Sequence, residues 1–441
     1  MPWKELYQQR LTTAGEAVKA IQSHQRVFLT GNCSVPREIL NALVEYAPQN
    51  LENVEIIEVL TVEASSLVDP SLQGHLRVNS LFISGDVRNA VNEGRADFTP
   101  VFLSQIPLLY RGALSVDAAL IQVSPPDNHG FCSFGVEVGV TKTAAEVAHT
   151  VIAEVNPNMP RTLGDSFIHV SDIDHFVEVD YLLPSFPMGK PSPIQDQIGQ
   201  HIANLIEDGS TLQTGIGGIP DAVLRYLGDK KDLGVHTELF SDGVIDLVES
   251  GVINNRAKTI HNGKIIAGFV LGTQRLYDFV DDNPLVELHP TEYVNNPVLI
   301  AQNPKMVAIN SAIEIDLTGQ VCADSIGPRL YSGVGGQVDF IRGAEMSKGG
   351  KPIIALPATA KGGGLSRIVG QLRPGAGVTT TRNDVHFVVT EYGVAALHGR
   401  TIRERARALI NIAHPDFREE LEQHAYELNY IPRAFSGVDV T

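Results

Sequence analysis

The chain has 441 residues, room for two or three domains of about 150 residues each, and 43% of them are hydrophobic, enough for a substantial core. Disorder and a disulfide-stapled miniature are both excluded. Thirty-four Lys and Arg stand against 51 Asp and Glu, a formal net charge of −17, which argues against a general nucleic-acid or anionic-membrane binder and requires a local positive pocket for any anionic ligand.

The N-terminal segment has no apolar stretch of signal-peptide type, and its early acids Glu5 and Glu16 do not suit a transit peptide. Cys33, Cys132 and Cys322 are widely spaced, with no CxxC pair and no histidine cluster at zinc-ligand spacing, so a reduced, cytosolic protein without a metal site is expected. The longest apolar run, Ile265 to Gly272, falls far short of the roughly 20 residues needed to span a bilayer. Short β-branched or apolar runs alternate with helix-period segments: Val27–Leu29, Val54–Val59, Ala118–Val123, Met306–Ile309, Ile353–Leu356 and Val385–Val389. That alternation predicts an α/β fold. Pro184, Pro187, Pro191 and Pro193 crowd one stretch with few backbone donors, and the domain boundary is placed there, giving domains 1–186 and 187–441.

A shift of 184 residues lays the start of the second half on the first: Thr30-Gly31 on Thr214-Gly215, Pro36 on Pro220 and Leu40 on Leu224. Val18 and Ile21 likewise meet Ile202 and Leu205, so each half is expected to open with an amphipathic helix, a strand, a glycine turn and a second helix.

The turn Thr214-Gly215-Ile216-Gly217-Gly218-Ile219-Pro220 follows the predicted strand Thr211–Gln213 and precedes a predicted helix. Glycines admit close backbone approach, and free amides at a helix start favour a phosphate or carbonyl oxygen. The dinucleotide fingerprint GxGxxG is absent, because Pro220 stands where its last glycine is needed. The same residues also suit a purely structural strand-to-helix turn. Two more glycine clusters follow, Gly333 to Gly336 and Gly362 to Gly364, and three in one half suggest a shared cleft. Lys361 and Arg367 could supply its positive charge or be plain surface residues.

Glu238 is expected near the carboxyl end of a strand through Val235, where open α/β sheets place their ligands, and a glutamate there suits a nucleophile, general base or metal ligand. His236 is predicted to share its strand face, and is read either as orienting it or as a satisfied buried or surface histidine. Asp242, Glu391 and His398 are further polar candidates. Spacing alone does not select Glu238 from ordinary surface glutamates.

The ordered set of motifs resembles the acetyl-CoA hydrolase/transferase family, and within it the 4-hydroxybutyrate and acetate/butyrate CoA-transferase branch. The resemblance rests on Val123-Ser124-Pro125-Pro126-Asp127 with Gly130, on Glu154-Val155-Asn156 before Pro160, on Gly215 to Pro220, and on Glu238 with Asp242-Gly243. It continues through Gly335-Gly336 before Asp339-Phe340, Thr390 to Ala395, and Arg405-Ala406 through Ala413-His414-Pro415, and so covers nearly the whole chain.

The resemblance implies two related open-sheet α/β domains of the CoA-transferase (NagB/RpiA-like) type, with active sites at their junction. It implies that Glu238 is the nucleophile that becomes a glutamyl-CoA thioester, and that Gly215, Ile216, Gly217, Gly218 and Ile219 contact CoA. Gly336 and Ile313 match further CoA contacts, Lys361 is the candidate cation for CoA, and Gly335, with Gly336 as the alternative, is the candidate oxyanion donor. Coenzyme A and acyl-CoA are then substrates, with no tightly bound cofactor. The partners implied are acyl-CoA and small carboxylates rather than nucleic acid or membrane, in a homodimer or homotetramer. An acyl-CoA hydrolase using the same glutamate, and a non-catalytic CoA- or metabolite-sensing module, are the alternatives.

Overall fold

The computed structural model describes residues 2–187, 189–215 and 217–431. It contains two compact units. The first comprises Met1–Pro187, Thr237–Asp242 and Lys264–Asn295, and the second Met188–His236, Gly243–Gly263 and Asn296–Thr441. The division is therefore discontinuous in sequence: two segments from the second half of the chain, one of them carrying Glu238, pack with the N-terminal residues. The expected boundary at 186/187 follows chain order.

The first unit is built on a seven-stranded sheet of β1 (Arg26–Leu29), β2 (Val54–Val59), β3 (Leu76–Phe82), β4 (Asp97–Phe98), β5 (Ala118–Val123), β6 (Thr150–Val155) and β7 (His175–Glu178). Every pairing is parallel, in the order β7-β6-β5-β1-β2-β3-β4. A strand buried on both faces reads as a continuous apolar run, and β5, Ala-Ala-Leu-Ile-Gln-Val, is buried at every position. Its one polar residue, Gln122, is satisfied by the Val35 carbonyl at 2.9 Å and the Tyr181 hydroxyl at 3.1 Å. Helix α1 (Arg37–Asn50) buries Ile39, Leu40, Leu43 and Ala47, a spacing that makes one apolar stripe on a helix of 3.6 residues per turn.

The strand order reverses at β1, which has β2 on one side and β5 on the other. Successive connections leave such a point in opposite directions, so a crevice opens at the strands' carboxyl ends.

The second unit repeats the arrangement. Its sheet joins β8 (Thr211–Gln213), β9 (Gly234–Val235), β10 (Met306–Ser311), β11 (Lys351–Ala355), β12 (Phe387–Thr390) and β13 (Gly393–Ala396) in the order β9-β8-β10-β11-β12-β13. All pairs are parallel except β12 with β13. Here β8 is the reversal point. It matches β1, because the 184-residue shift carries Val27–Leu29 onto Thr211–Gln213.

Among the described residues from 184 to 192 there is no helix or strand, and helix α2 (Pro193–Ala203) begins directly afterwards. Ser192 and Gln195 form a reciprocal capping box, and Pro193 occupies the first turn, where its missing N–H has no helical partner to lose. Helix α3 (Gly218–Arg225) starts three residues earlier than the apolar pattern predicts, so Pro220 sits in its first turn.

All three cysteines are buried and unbridged. Among the described residues no helix is long and apolar enough to cross a membrane.

Gly199 on α2 makes the close approach of α3 feasible: a Cβ there would lie 2.6 Å from the Ala222 Cβ and 2.8 Å from its backbone carbon. Gly199→Val should therefore force the two helices apart and cost about 1–3 kcal/mol, read as a lower Tm in thermal unfolding. An unchanged Tm would mean that the helices do not depend on this contact.

Candidate active site

In the first unit Glu238 lies on a bend just ahead of the two-residue strand Leu239–Phe240, which pairs in parallel with Phe269–Val270. Its carbonyl accepts the Gly268 N–H at 2.8 Å and the Phe269 N–H at 3.1 Å, and the preceding Thr237 N–H reaches the Ile266 carbonyl at 2.9 Å. The backbone is thus pinned from both sides, while the side chain is only half-buried. Gly268 is required where two backbones meet, since a Cβ would stand 3.2 Å from the Glu238 carbonyl oxygen.

The carboxylate itself is held by Asn295, whose Nδ2 donates to Oε2 at 2.7 Å. Asn295 is fully buried and caps the C-terminus of the short helix Thr291–Val294, which is anchored by the Thr291 N–H bonding the Gly139 carbonyl at 2.9 Å. A donated hydrogen bond of this kind favours the ionised carboxylate and limits its rotation.

A second carboxyl is enclosed nearby. Glu137, 2% exposed, takes an N–H from Val140 at 3.3 Å and the side-chain amide of Asn32. Its backbone forms an antiparallel bridge with Phe269, the residue whose N–H bonds the Glu238 carbonyl. Burial pushes the Glu137 carboxyl up to about 8, an effect opposed by Asn32 and the Val140 N–H and reinforced by the charge of Glu238. Asn32 lies beyond the end of β1, at the strand-order reversal, and has a left-handed backbone with φ 52° that asparagine tolerates better than most residues.

In the second unit the predicted glycines cluster at the carboxyl ends of β8 and β10. Gly217 has φ 113°, a conformation that L side chains rarely adopt, and a Cβ on Gly218 would meet the Gln195 amide at 2.3 Å. Ile219 is buried, Gly215 is half-exposed, and Ile216 lies outside the described residues. Beside them Gln213 accepts the Asn310 side-chain amide at 3.1 Å, tying the ends of the two strands together.

Helix α4 (Gln337–Met346) starts at the same edge. Gly336 is its N-cap, Gly335 has φ 57°, and the Gln337 amide reaches the Ser311 carbonyl at 3.3 Å. Neither the Gly335 nor the Gly336 N–H has an acceptor among the described residues. The carbonyl of Ile313 accepts Arg367 Nη1 at 3.5 Å and that of Ala312 the same nitrogen at 3.3 Å. Arg367 therefore braces the loop that carries Ile313. Lys361 begins an exposed 3-10 turn, and no ion pair or side-chain hydrogen bond ties its ammonium to a described residue.

His236 does not share a strand face with Glu238, and of its two readings the buried one holds. Strand β9 ends at Val235 and Glu238 stands on a bend, so the alternation that would put both on one strand face does not extend between them. His236 is fully buried instead, its N–H on the Leu212 carbonyl at 3.1 Å and its ring edge-on to Phe340 at 6.2 Å. Asp242 accepts the Thr273 N–H at 3.0 Å together with that residue's hydroxyl, Glu391 accepts the Ala358 N–H at 2.8 Å, and His398 stacks on His386 at 3.9 Å.

Sequence reasoning missed Glu137, Asn295 and Asn32. A lone acid inside the apolar run Phe134-Gly-Val-Glu-Val-Gly-Val is a recognisable signal for Glu137, since an acid in such a run is buried and needs partners. Asn295, 57 residues from Glu238, carries no comparable local mark.

The acetyl-CoA hydrolase/transferase N-terminal domain model matches residues 1–185, and its C-terminal counterpart matches residues 272–425. The chain belongs to the acetyl-CoA hydrolase/transferase family. It is 55% identical to a 4-hydroxybutyrate coenzyme A transferase of Clostridium kluyveri over 96% of this chain and 98% of that one. Among solved structures, 4-hydroxybutyrate CoA-transferase from Porphyromonas gingivalis is 41% identical with a TM-score of 0.84, covering 97% of this chain and all of that one. RipA from Yersinia pestis is 36% identical with a TM-score of 0.93, covering 98% of this chain and 100% of that one.

Removing the Asn295 donor leaves Glu238 freer to rotate. A hydrogen bond to a charged group contributes about 1.5–3 kcal/mol, so Asn295→Ala should lower turnover about ten- to a hundredfold with a smaller change in KM. Steady-state kinetics of thioester consumption check this, and unaltered kcat would refute a positioning role for Asn295.

Proposed function

We propose that the protein is a CoA-transferase in which Glu238 is the covalent nucleophile. The observation that carries this reading is the Glu238 carboxylate itself: half-exposed, on a backbone pinned by two N–H donors, with Oε2 held by Asn295. Such a carboxylate is charged, oriented and open to a substrate from one side.

In the proposed cycle a Glu238 oxygen attacks the acyl-CoA carbonyl carbon, the carbon–sulfur bond breaks, and CoA leaves as the thiolate. The product is a mixed acyl-glutamyl anhydride. The thiolate then attacks the glutamyl carbonyl of this anhydride, forming a glutamyl-CoA thioester and releasing the donor acid as its carboxylate. An acceptor carboxylate reverses both steps and departs as the new acyl-CoA. One negative charge moves at each step and no proton need be exchanged, so activation energy is retained without ATP.

Each attack creates an oxyanion, and a preformed N–H donor at such a position is worth about 2.7–4 kcal/mol. Gly335 is the proposed donor, with an N–H not committed to a described acceptor. The turn Gly215 to Ile219, Gly336 and Ile313 are proposed to contact CoA, and the Lys361 ammonium to meet its phosphates.

The donor proposed is acetyl-CoA and the acceptor a short-chain carboxylate such as 4-hydroxybutyrate, butyrate or propionate. The 4-hydroxybutyrate name of the 55% identical relative supports this acceptor class.

Incubation of the protein with acetyl-CoA should add CoA covalently to Glu238, detected by mass spectrometry of the digested protein. Glu238→Gln keeps the size of the side chain but not its nucleophilic charge, so it should fold normally and lose turnover by about three orders of magnitude or more. With a labelled carboxylate present, label should enter a new thioester. Release of free acid alone would make the protein a hydrolase, and normal exchange by Glu238→Gln would eliminate the assigned nucleophile.

A further inference from the structure

Two carboxyl groups share the surroundings of the Phe269 backbone, yet their environments differ. Glu238 is half-exposed and receives Asn295, whereas Glu137 is enclosed, with Asn32 and one backbone N–H as its hydrogen-bond partners among the described residues. The loop closes tightly over it: a Cβ on Gly139 would come 2.9 Å from Glu137 Oε1 and 3.2 Å from the Thr291 methyl, so a larger residue there would displace this carboxyl. Neighbouring carboxyls do not both ionise readily, and the more deeply buried one retains the proton.

We infer that Glu137 is the proton-bearing partner of Glu238: its neutral acid, enclosed on the same backbone frame, helps to position the nucleophile and leaves the negative charge on Glu238 alone. This rests on the assignment of Glu238 as nucleophile and adds a positioning residue to it.

The titratable groups on the elements around Glu137 bear on its charge. Glu238 raises its proton affinity. Cys33, beyond β1, is pushed up to about 12, first by burial. Tyr110, on the helix Ile106–Tyr110, is raised well above its ordinary value by burial, with Glu137 and Glu58 adding to the effect. Glu58, on β2, is raised by burial while Thr61 favours its charged form. None of these supplies a cation that would hold Glu137 ionised.

The sign of the pH dependence follows. Below about 8 Glu137 is neutral and the site carries one negative charge. Above it a second, enclosed negative charge opposes each tetrahedral oxyanion, so the rate of Glu238 acylation should fall with rising pH.

The test is single-turnover formation of covalent CoA from acetyl-CoA between pH 6 and 10, with infrared difference spectra of the wild-type protein across the same range. The wild type should lose rate by up to about tenfold per pH unit above about 8, with a protonated-carboxyl carbonyl band disappearing in step. Glu137→Gln, a neutral isostere, should lack that alkaline fall and lack the band.

A wild-type spectrum without the band at pH 7 would overturn the inference whether or not the variant folds. So would a band or an alkaline limb that survives in Glu137→Gln, or abolition of adduct formation in a folded Glu137→Gln. Failure of the wild type to form any adduct would instead count against Glu238 as nucleophile, a result separable from the infrared one.

Discussion

The carbonyl of Glu238 accepts two N–H groups from residues 268 and 269, and these bonds fix the backbone that carries the proposed nucleophile. A nucleophile on an unpaired loop would sample many orientations, and orienting it at the moment of reaction would add to the barrier. Here the orientation is prepared by the strand pair Leu239–Phe240 with Phe269–Val270, by Gly268 at the close approach, and by Asn295 at the carboxylate. Glu137 is joined to the same frame through its bridge to Phe269.

Electrostatics divide the labour between the two acids. Glu238 keeps access to solvent and a hydrogen-bond donor, both of which favour its charge, whereas Glu137 is enclosed in surroundings that penalise charge. The net charge of −17 makes this economy of negative charge pertinent, because the proposed substrates are themselves anions. In the second unit, the Gly335 and Gly336 N–H groups, without an acceptor among the described residues, add positive potential at the start of α4.

The two sheets share one design. In each, the first strand, β1 or β8, is flanked by the second strand and by a later one, and the chain leaves it through a glycine turn into a helix. Asn32 follows one such strand and Gly215 the other. The turns differ: one presents an asparagine amide to a buried acid, and the other a run of glycines.

Much of this was legible in the sequence. Apolar runs located the central strands because a parallel strand buried on both faces must be apolar throughout, as β5 is. Ser192, Pro193 and Gln195 marked the start of α2, and the 184-residue shift revealed the related halves, since these signals act between neighbours in the chain. Glu238 became distinctive through family resemblance, not spacing. Tertiary structure alone decided that residues 237–242 and 264–295 pack with the N-terminal unit, that Asn295 holds Glu238, and that Glu137 lies enclosed by Asn32 and Gly139. It also removed His236 from the face assigned to it, because the strand ends at Val235. Local patterns record what each segment must bury, but a partner 57 or 105 residues away is chosen by chain folding in space, and no periodicity carries that distance.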